Sequence, residues 1–230
     1  MNRESPSLDF SFVLASSVHD MKNSLSMLLT TLTDVIAQYP PQDVNQANAY
    51  AVLEYEAARI NSELIQLLSI YRLENDQIHA HIDEHLVGDI LAEQVARNYE
   101  LFKSRNLVLE IACDDGLIGY FDGDLVGGVI NNVLVNCSRY SSQRVRLAAA
   151  QTPDGLCISI EDDGAGYPAE MLEASTFTES RAHFAEGRPH LGLIFANKIA
   201  LMHQNKGRLG FISLSNRSTL GGGCFKVYLP

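Results

Sequence analysis

The stretch that decides the fold spans residues 157–166 and reads CISIEDDGAG. Alternating apolar side chains up to Ile160 predict a strand, and the acidic and glycine residues that follow predict a tight turn at its end. We call residues 162–166 the aspartate–glycine segment. Taken alone, this segment is as typical of an ordinary turn or an oxygen-rich calcium loop as of a nucleotide site, so its interpretation depends on its neighbours.

The neighbouring elements alternate between helix and strand. A Pro153-Asp154-Gly155 turn joins the predicted strand over 157–161 to another over 145–149. Helical periodicity is found in three stretches, 87–105, 125–140 and 191–203, and strand-like runs in three others, 107–111, 207–215 and 223–229. A connector near 78–82 and a loop-rich region over 162–189 complete this part. Residues 77–230 are therefore predicted to form an α+β domain, built as a sandwich of helices on a sheet.

The N-terminal part has a different pattern. Apolar residues recur at helical spacing over residues 8–39 and again over 44–73, with Pro40-Pro41 between them and Asp43 as the expected cap of the second helix. Residues 1–76 are thus predicted to form a helical hairpin. Two helices cannot bury both apolar faces alone, so a homodimer with a four-helix bundle is expected.

Composition narrows the classes of function. The formal net charge of −11 argues against nucleic-acid binding, which needs clustered basic side chains. No apolar run approaches the roughly 18 residues of a membrane span, and the N-terminus lacks the pattern of a secretory signal. The four cysteines lie in apolar stretches without metal-ligand spacing. We therefore expect a cytoplasmic protein without a membrane span, whose partner is another protein or a nucleotide with its metal ion.

Several short sequence segments follow one another in a characteristic order. They are VHDMKNSL at 18–25 (the histidine segment), LSIYRLE at 68–74, NVLVNCSRY at 132–140 (the asparagine segment), the aspartate–glycine segment, and GGGCFKVYLP at 221–230 (the C-terminal glycine segment). In this order the chain resembles the histidine kinases of two-component systems. The resemblance implies a HisKA-type dimerisation hairpin followed by a GHKL-type ATP-binding domain, and it covers nearly everything after Leu8.

The resemblance makes His19 the phosphoacceptor. A neutral imidazole nitrogen is nucleophilic near neutral pH, and the adjacent Asp20 can orient the ring. Asn23 matches the family position that supports dephosphorylation of a response regulator, where an amide could hold the attacking water. The simpler interpretations are that His19 and Asn23 are polar residues on the bundle surface.

The resemblance also implies an ATP and Mg²⁺ site. Asn132, Asn136 and Arg139 share one broad helical face; Asn136 is implied as the Mg²⁺ ligand, with the other two near the phosphates. Helix capping or surface hydrogen bonding is the alternative for these side chains. Asp162 is implied to accept a hydrogen bond from the adenine amine. Three glycines are implied to let the backbone approach the nucleotide closely: Gly164, Gly166 and Gly192.

The sequence departs from the family pattern in places. The lid before the last long helix normally contains Gly-x-Gly-Leu-Gly-Leu but reads RPHLGL at 188–193, so that only Gly192 is in register and Gly187 lies nearby. Because Pro189 and His190 stiffen this stretch, ATP could bind weakly, bind in another lid pose or not be used at all. Arg188 or His190 could instead contact phosphate. Ser24 replaces a proline that usually bends the first helix.

A cluster of histidines in the connector, His79, His81 and His85, suggests a metal site. Strand alternation would place His79 and His81 on one face without a further ligand. A solvated connector therefore explains the cluster better.

These observations favour a histidine kinase core that transfers the γ-phosphoryl group of Mg-ATP to His19 and then to an aspartate on a response regulator receiver domain. No sensor precedes His19, so a separate sensor protein could supply the input. The competing hypotheses are an ATP-independent histidine phosphotransfer protein and a regulatory pseudokinase, both suggested by the altered lid. A GHKL ATPase or a serine kinase of the anti-sigma type fits less well, because those proteins lack the histidine hairpin.

Overall fold

The computed structural model describes residues 10–75, 78–173 and 191–230. The chain folds as two compact units, Met1–Gln77 and Ile78–Pro230.

The first unit consists of two long helices, α1 (Phe10–Gln38) and α2 (Val44–Glu74), which pack against each other. Asp43 is the cap of α2, as its position predicts: its Oδ1 accepts a hydrogen bond from the backbone N–H of Gln46 at 2.7 Å. The two helices leave many apolar side chains exposed, among them Met21, Met27, Leu28, Val35, Val52, Leu53, Ile60 and Ile65.

The second unit contains helices and strands in mixed order. They are β1 (Asp83–Leu86), α3 (Val87–Ser104), β2 (Val108–Ala112), β3 (Ile118–Phe121), α4 (Gly123–Tyr140), β4 (Arg144–Thr152), β5 (Gly155–Asp162), α5 (Ala169–Glu173), α6 (Leu191–Met202), β6 (Gln204–Asn205), β7 (Arg208–Leu209), β8 (Phe211–Ser215) and β9 (Cys224–Leu229).

A five-stranded mixed sheet organises this unit. Its strand order is β2-β4-β5-β9-β8, with β2 parallel to β4 and the other pairs antiparallel. Helices α3, α4 and α6 contact the sheet, and the fully buried side chains alternate along its strands, as at Leu147, Ile160 and Phe225. One face of the sheet therefore builds the core with the helices, and the predicted α+β sandwich is confirmed.

The ends of α4 and α6 are joined by a buried histidine. His203 follows α6 and is only 2% exposed; its Nε2 accepts the backbone N–H of Asp122 at 3.0 Å, while its Nδ1 lies 2.8 Å from the carbonyl oxygen of Ile199. The ring is thus the tautomer that carries its proton on Nδ1. Asp122 in turn caps α4, because its Oδ1 accepts the N–H of Leu125. This contact fixes where the helix with the asparagine segment begins.

Two small strand pairs were not predicted. β1 pairs with β3, and the single strand expected over 207–215 is instead a hairpin, β6 with β7, followed by β8. Lys206 and Gly207, at φ +48° and +81°, form the left-handed turn of that hairpin. Strands of two to four residues are too short for alternation to be recognised, which is why the periodicity missed them.

Candidate nucleotide site

Asp162 lies at the end of β5 and is held by the C-terminal glycine segment. Its side chain is 8% exposed, and Oδ1 accepts backbone N–H groups from Gly164 at 2.8 Å and Gly223 at 3.1 Å. Within the described residues, Oδ2 takes part in no hydrogen bond. One carboxylate oxygen is thus fixed by the backbone, and the other remains able to accept a donor.

Glycines lie where the C-terminal glycine segment approaches the Asp162 carboxylate. A Cβ at Gly223 would lie 2.8 Å from Oδ2 of Asp162 and 3.0 Å from the ring of Tyr167, and a Cβ at Gly222 would meet Asp162 as well. In the sequence these glycines are recognisable only as a family motif, and their contact with Asp162 was not predicted. Three consecutive glycines, at 221–223, were the available signal that a backbone approaches something closely.

Two of the predicted glycines have clear local reasons. Gly164 lies against the carbonyl oxygen of Tyr140, the last residue of α4, where a Cβ would clash. Gly166 adopts φ +77°, and a Cβ there would meet the side chain of Asn216. The amide of Asn216 also brackets Tyr167, accepting its N–H at 2.7 Å and donating to its carbonyl oxygen at 2.9 Å.

The asparagine segment forms the C-terminal half of α4. Asn132 is 8% exposed, Asn136 is exposed and Arg139 is partly exposed, so the face they share runs from the core to the surface. Gly192, in the first turn of α6, lies directly beside the amide of Asn132, and any side chain there would collide with it. The structure therefore brings Asn132 together with Gly192.

A thiol and a phenol lie near Asp162. Burial raises the pKa of the Cys137 thiol, and the negative charge of Asp162 raises it further. Burial likewise raises the pKa of Tyr167, with added contributions from Cys137 and Asp162. Both groups are neutral at physiological pH, so neither adds a second negative charge beside Asp162.

The candidate phosphoacceptor lies in the first unit. The backbone of His19 belongs to α1, while its side chain lies outside the described part of the structure. Asp20 and Asn23 are exposed on the same helix. In the lid, Gly187, Arg188, Pro189 and His190 also fall outside the described residues.

Two of the three connector histidines line a different pocket of about 370 Å³ between β1, α3 and the start of α4. His81 and His85 line it, and Nδ1 of His81 contacts Oδ2 of Asp83 at 2.8 Å near solvent. Residues 78–82 are not a strand, contrary to the alternation argument. Among the described residues, no group of histidine, cysteine or carboxylate side chains is arranged to hold a metal ion.

Asp163 shows how the site depends on pH. Partial burial raises its pKa, but the backbone N–H groups of Gln143, Arg144 and Ser142 outweigh this and lower the pKa overall. The ionised Asp163 carboxylate therefore stabilises the folded state fully above the ordinary carboxyl pKa. This stabilisation is lost as the pH falls through the lowered pKa of Asp163 in the folded state. We expect wild type to lose more stability than Asp163→Asn between neutral and strongly acidic pH, because only the wild-type carboxylate is protonated over that range.

Chemical denaturation at a series of pH values measures this difference. Asp154→Asn, in the β4–β5 turn, is the matched control, and its pH dependence should follow wild type. Parallel curves for wild type and Asp163→Asn would contradict the prediction.

Comparison with known families identifies the second unit. Residues 121–230 match the model of the "Histidine kinase-, DNA gyrase B-, and HSP90-like ATPase" family. This segment includes α4, the aspartate–glycine segment and the C-terminal glycine segment. The family model therefore supports the ATP-binding part of the prediction that the motif order makes.

Curated relatives cover nearly the whole chain. The sensor protein PhoQ of Escherichia coli O157:H7 is 24% identical over 216 residues, which is 93% of this chain and 42% of the relative. The sensor protein KdpD of Clostridium acetobutylicum is 22% identical over 223 residues, 95% of this chain and 24% of the relative. The chain thus spans less than half the length of these relatives. Among the described helices, none has the length and apolar character needed to cross a membrane.

Solved structures share the fold. The histidine kinase AdeS of Acinetobacter baumannii has a TM-score of 0.58 at 17% identity, covering 91% of this chain and 95% of its own. Full-length ShkA in complex with AMPPNP has a TM-score of 0.63 at 15% identity, covering 94% of this chain and 45% of its own.

Proposed function

We propose, from the histidine kinase-like ATPase domain at residues 121–230, that this chain is the core of a histidine kinase. It would transfer a phosphoryl group from Mg-ATP to His19 and then to an aspartate on the receiver domain of a response regulator. The observation that carries the proposal is Asp162, buried at the end of β5 with one oxygen fixed by backbone and the other available.

The described residues fit an adenine nucleotide. An exocyclic amine needs a buried acceptor, and Oδ2 of Asp162 can serve as one. Gly223 borders this oxygen, since a Cβ there would lie 2.8 Å from Oδ2, whereas Gly222 lies against Oδ1. This arrangement would favour adenine, because the carboxylate would repel a base that has a carbonyl oxygen in place of the exocyclic amine.

The exposed end of the asparagine segment fits the triphosphate and its metal ion. Asn136 offers an amide oxygen, a ligand type that Mg²⁺ accepts, and Arg139 follows it on the same face of α4. Asn132 and Gly192 would place the first turn of α6 next to this face. When bound, Mg-ATP supplies the phosphoryl group, and these residues orient it.

In the first unit, His19 would act as nucleophile and Asp20 would orient its ring and accept the ring proton. Asn23, four residues after His19 on α1, would hold the water molecule that dephosphorylates the response regulator. The apolar side chains left exposed on α1 and α2 support a homodimer, since a second copy could cover them in a four-helix bundle. A cytoplasmic location and a separate sensor protein belong to the same proposal.

The chemical stability of the label on the purified wild-type chain tests this function. After incubation with γ-labelled Mg-ATP, we expect label that is stable in alkali and lost in acid, because a phosphorus–nitrogen bond to imidazole has that behaviour and a phosphoserine has the opposite one. Label on serine or threonine, or no label under conditions where ATP binds, would contradict the kinase proposal.

A regulatory pseudokinase is the second candidate, favoured by the sequence of the lid. Arg188 and His190 stand where the family pattern has glycine, and Pro189 between them restricts the backbone. This alternative predicts that ATP binds but no label forms.

A further inference from the structure

Three consecutive carboxylates lie at the end of β5: Glu161 and Asp162 are its last two residues, and Asp163 follows it. Side chains alternate along a strand, so Glu161 leaves β5 on the face opposite to Asp162. Asp162 belongs to the candidate site. The two flanking carboxylates each hold a different loop that borders that site.

Asp163 holds the segment that follows α4. Its Oδ1 accepts the backbone N–H groups of Ser142 at 2.8 Å and Gln143 at 3.0 Å, and its Oδ2 accepts those of Gln143 at 3.0 Å and Arg144 at 3.1 Å. The hydroxyl of Ser142 also donates to the backbone carbonyl oxygen of Asp163 at 3.2 Å. Three successive N–H groups around one carboxylate fix the C-terminal end of α4, which carries Asn136 and Arg139, relative to Asp162.

Glu161 holds the loop on the other side. Its Oε2 accepts the backbone N–H of Thr219 at 3.0 Å and also the Thr219 hydroxyl. The preceding residue, Ser218, donates its hydroxyl to the carbonyl oxygen of Asp162 at 2.8 Å. These contacts fix the start of the loop that delivers Gly222 and Gly223 to the Asp162 carboxylate.

We propose that Glu161 and Asp163 are positioning residues, each of which holds a different part of the nucleotide site in place. This inference rests on the proposed function. Asp163 sets the position of Asn136 and Arg139, and therefore the affinity for the metal–triphosphate part. Glu161 sets the position of the glycines beside Asp162, and therefore the selection of the base. Neither side chain touches the nucleotide.

The experiment compares nucleotide binding by the full chain carrying Asp163→Ala or Glu161→Ala. Two readouts separate the roles: the Mg²⁺ concentration that gives half-maximal ATP binding, and the ratio of the dissociation constants for GTP and ATP. We expect Asp163→Ala to raise the required Mg²⁺ about tenfold with the base ratio unchanged, and Glu161→Ala to lower the base ratio about tenfold with the Mg²⁺ requirement unchanged.

Matched variants complete the design. Glu161→Gln keeps a carbonyl oxygen for Thr219 and should stay within about threefold of wild type, whereas Asp163→Asn, with one acceptor oxygen left, should be intermediate. Asp154→Ala, at the opposite end of β5, should match wild type in both readouts. Circular dichroism shows whether each variant is folded. If Asp163→Ala is not, Asp163→Asn carries the comparison; if Glu161→Ala is not, Thr219→Val, which removes the hydroxyl donor to Glu161, takes its place.

Each outcome has a distinct meaning. If wild type binds no nucleotide, the proposed function fails and this inference fails with it. If wild type binds and the variants match Asp154→Ala, the inference alone is overturned. A uniform loss in both readouts that follows a lower melting temperature would also overturn it, because a purely structural role predicts that pattern.

Discussion

Replacing His19 by glutamine is expected to abolish phosphoryl labelling completely while leaving ATP binding unchanged. Glutamine retains a polar side chain on α1 but has no nucleophilic ring nitrogen, so the transfer loses its acceptor. The nucleotide residues lie in the second unit and α1 in the first, so the dissociation constant for an ATP analogue should stay within about twofold. Labelling with γ-labelled Mg-ATP and calorimetric binding of the analogue measure the two effects.

The matched control is His81→Gln. The side chain of His81 is 85% exposed in the connector, so its loss should leave the label at the wild-type level. Label that persists in His19→Gln would place the acceptor elsewhere. Label lost equally in both variants would indicate a general loss of function rather than loss of the acceptor.

Asp162→Asn is expected to weaken ATP binding about 100-fold, which corresponds to about 2.7 kcal/mol. The asparagine oxygen can still accept the N–H groups of Gly164 and Gly223, so its NH₂ group takes the position of Oδ2. A donor then faces the donor on adenine, and a buried charge-assisted hydrogen bond is replaced by an unfavourable contact. Titration calorimetry with ADP or ATP measures the change.

Asp115→Asn, a neutralised carboxylate in an exposed turn between β2 and β3, controls for the change in net charge. Melting curves of both variants show whether the second unit remains folded. Binding by Asp162→Asn within about threefold of wild type would exclude Asp162 as the acceptor for the base.

The features that sequence could predict were local ones. Long amphipathic periodicity predicts α1 and α2, Asp43 is recognisable as a cap by its position before Val44, and the Pro153–Gly155 turn predicts the β4–β5 hairpin. The order of the motif segments predicted the ATPase domain that the family comparison confirms. Each of these signals depends on neighbouring residues, which explains why periodicity and motifs suffice for them.

The features that sequence missed depend on proximity between distant residues. Gly223 donates to Asp162 across 61 positions, and Thr219 donates to Glu161 across 58. No periodicity relates such residues, because the pairing of β5 with β9 brings them together. The same holds for Gly192, which sequence assigned to a lid and which the structure places beside Asn132.

The bond from Gly223 to Asp162 has a consequence for how the protein is made. A ribosome releases the chain from its N-terminus, so β5 and α4 emerge long before residue 223. Until that glycine arrives, the Asp162 carboxylate has only one of its two backbone donors, and β5 lacks its β9 neighbour. A nucleotide bound as proposed would therefore have no finished pocket until residue 223 has left the ribosome, and it could stabilise the second unit only from that point on.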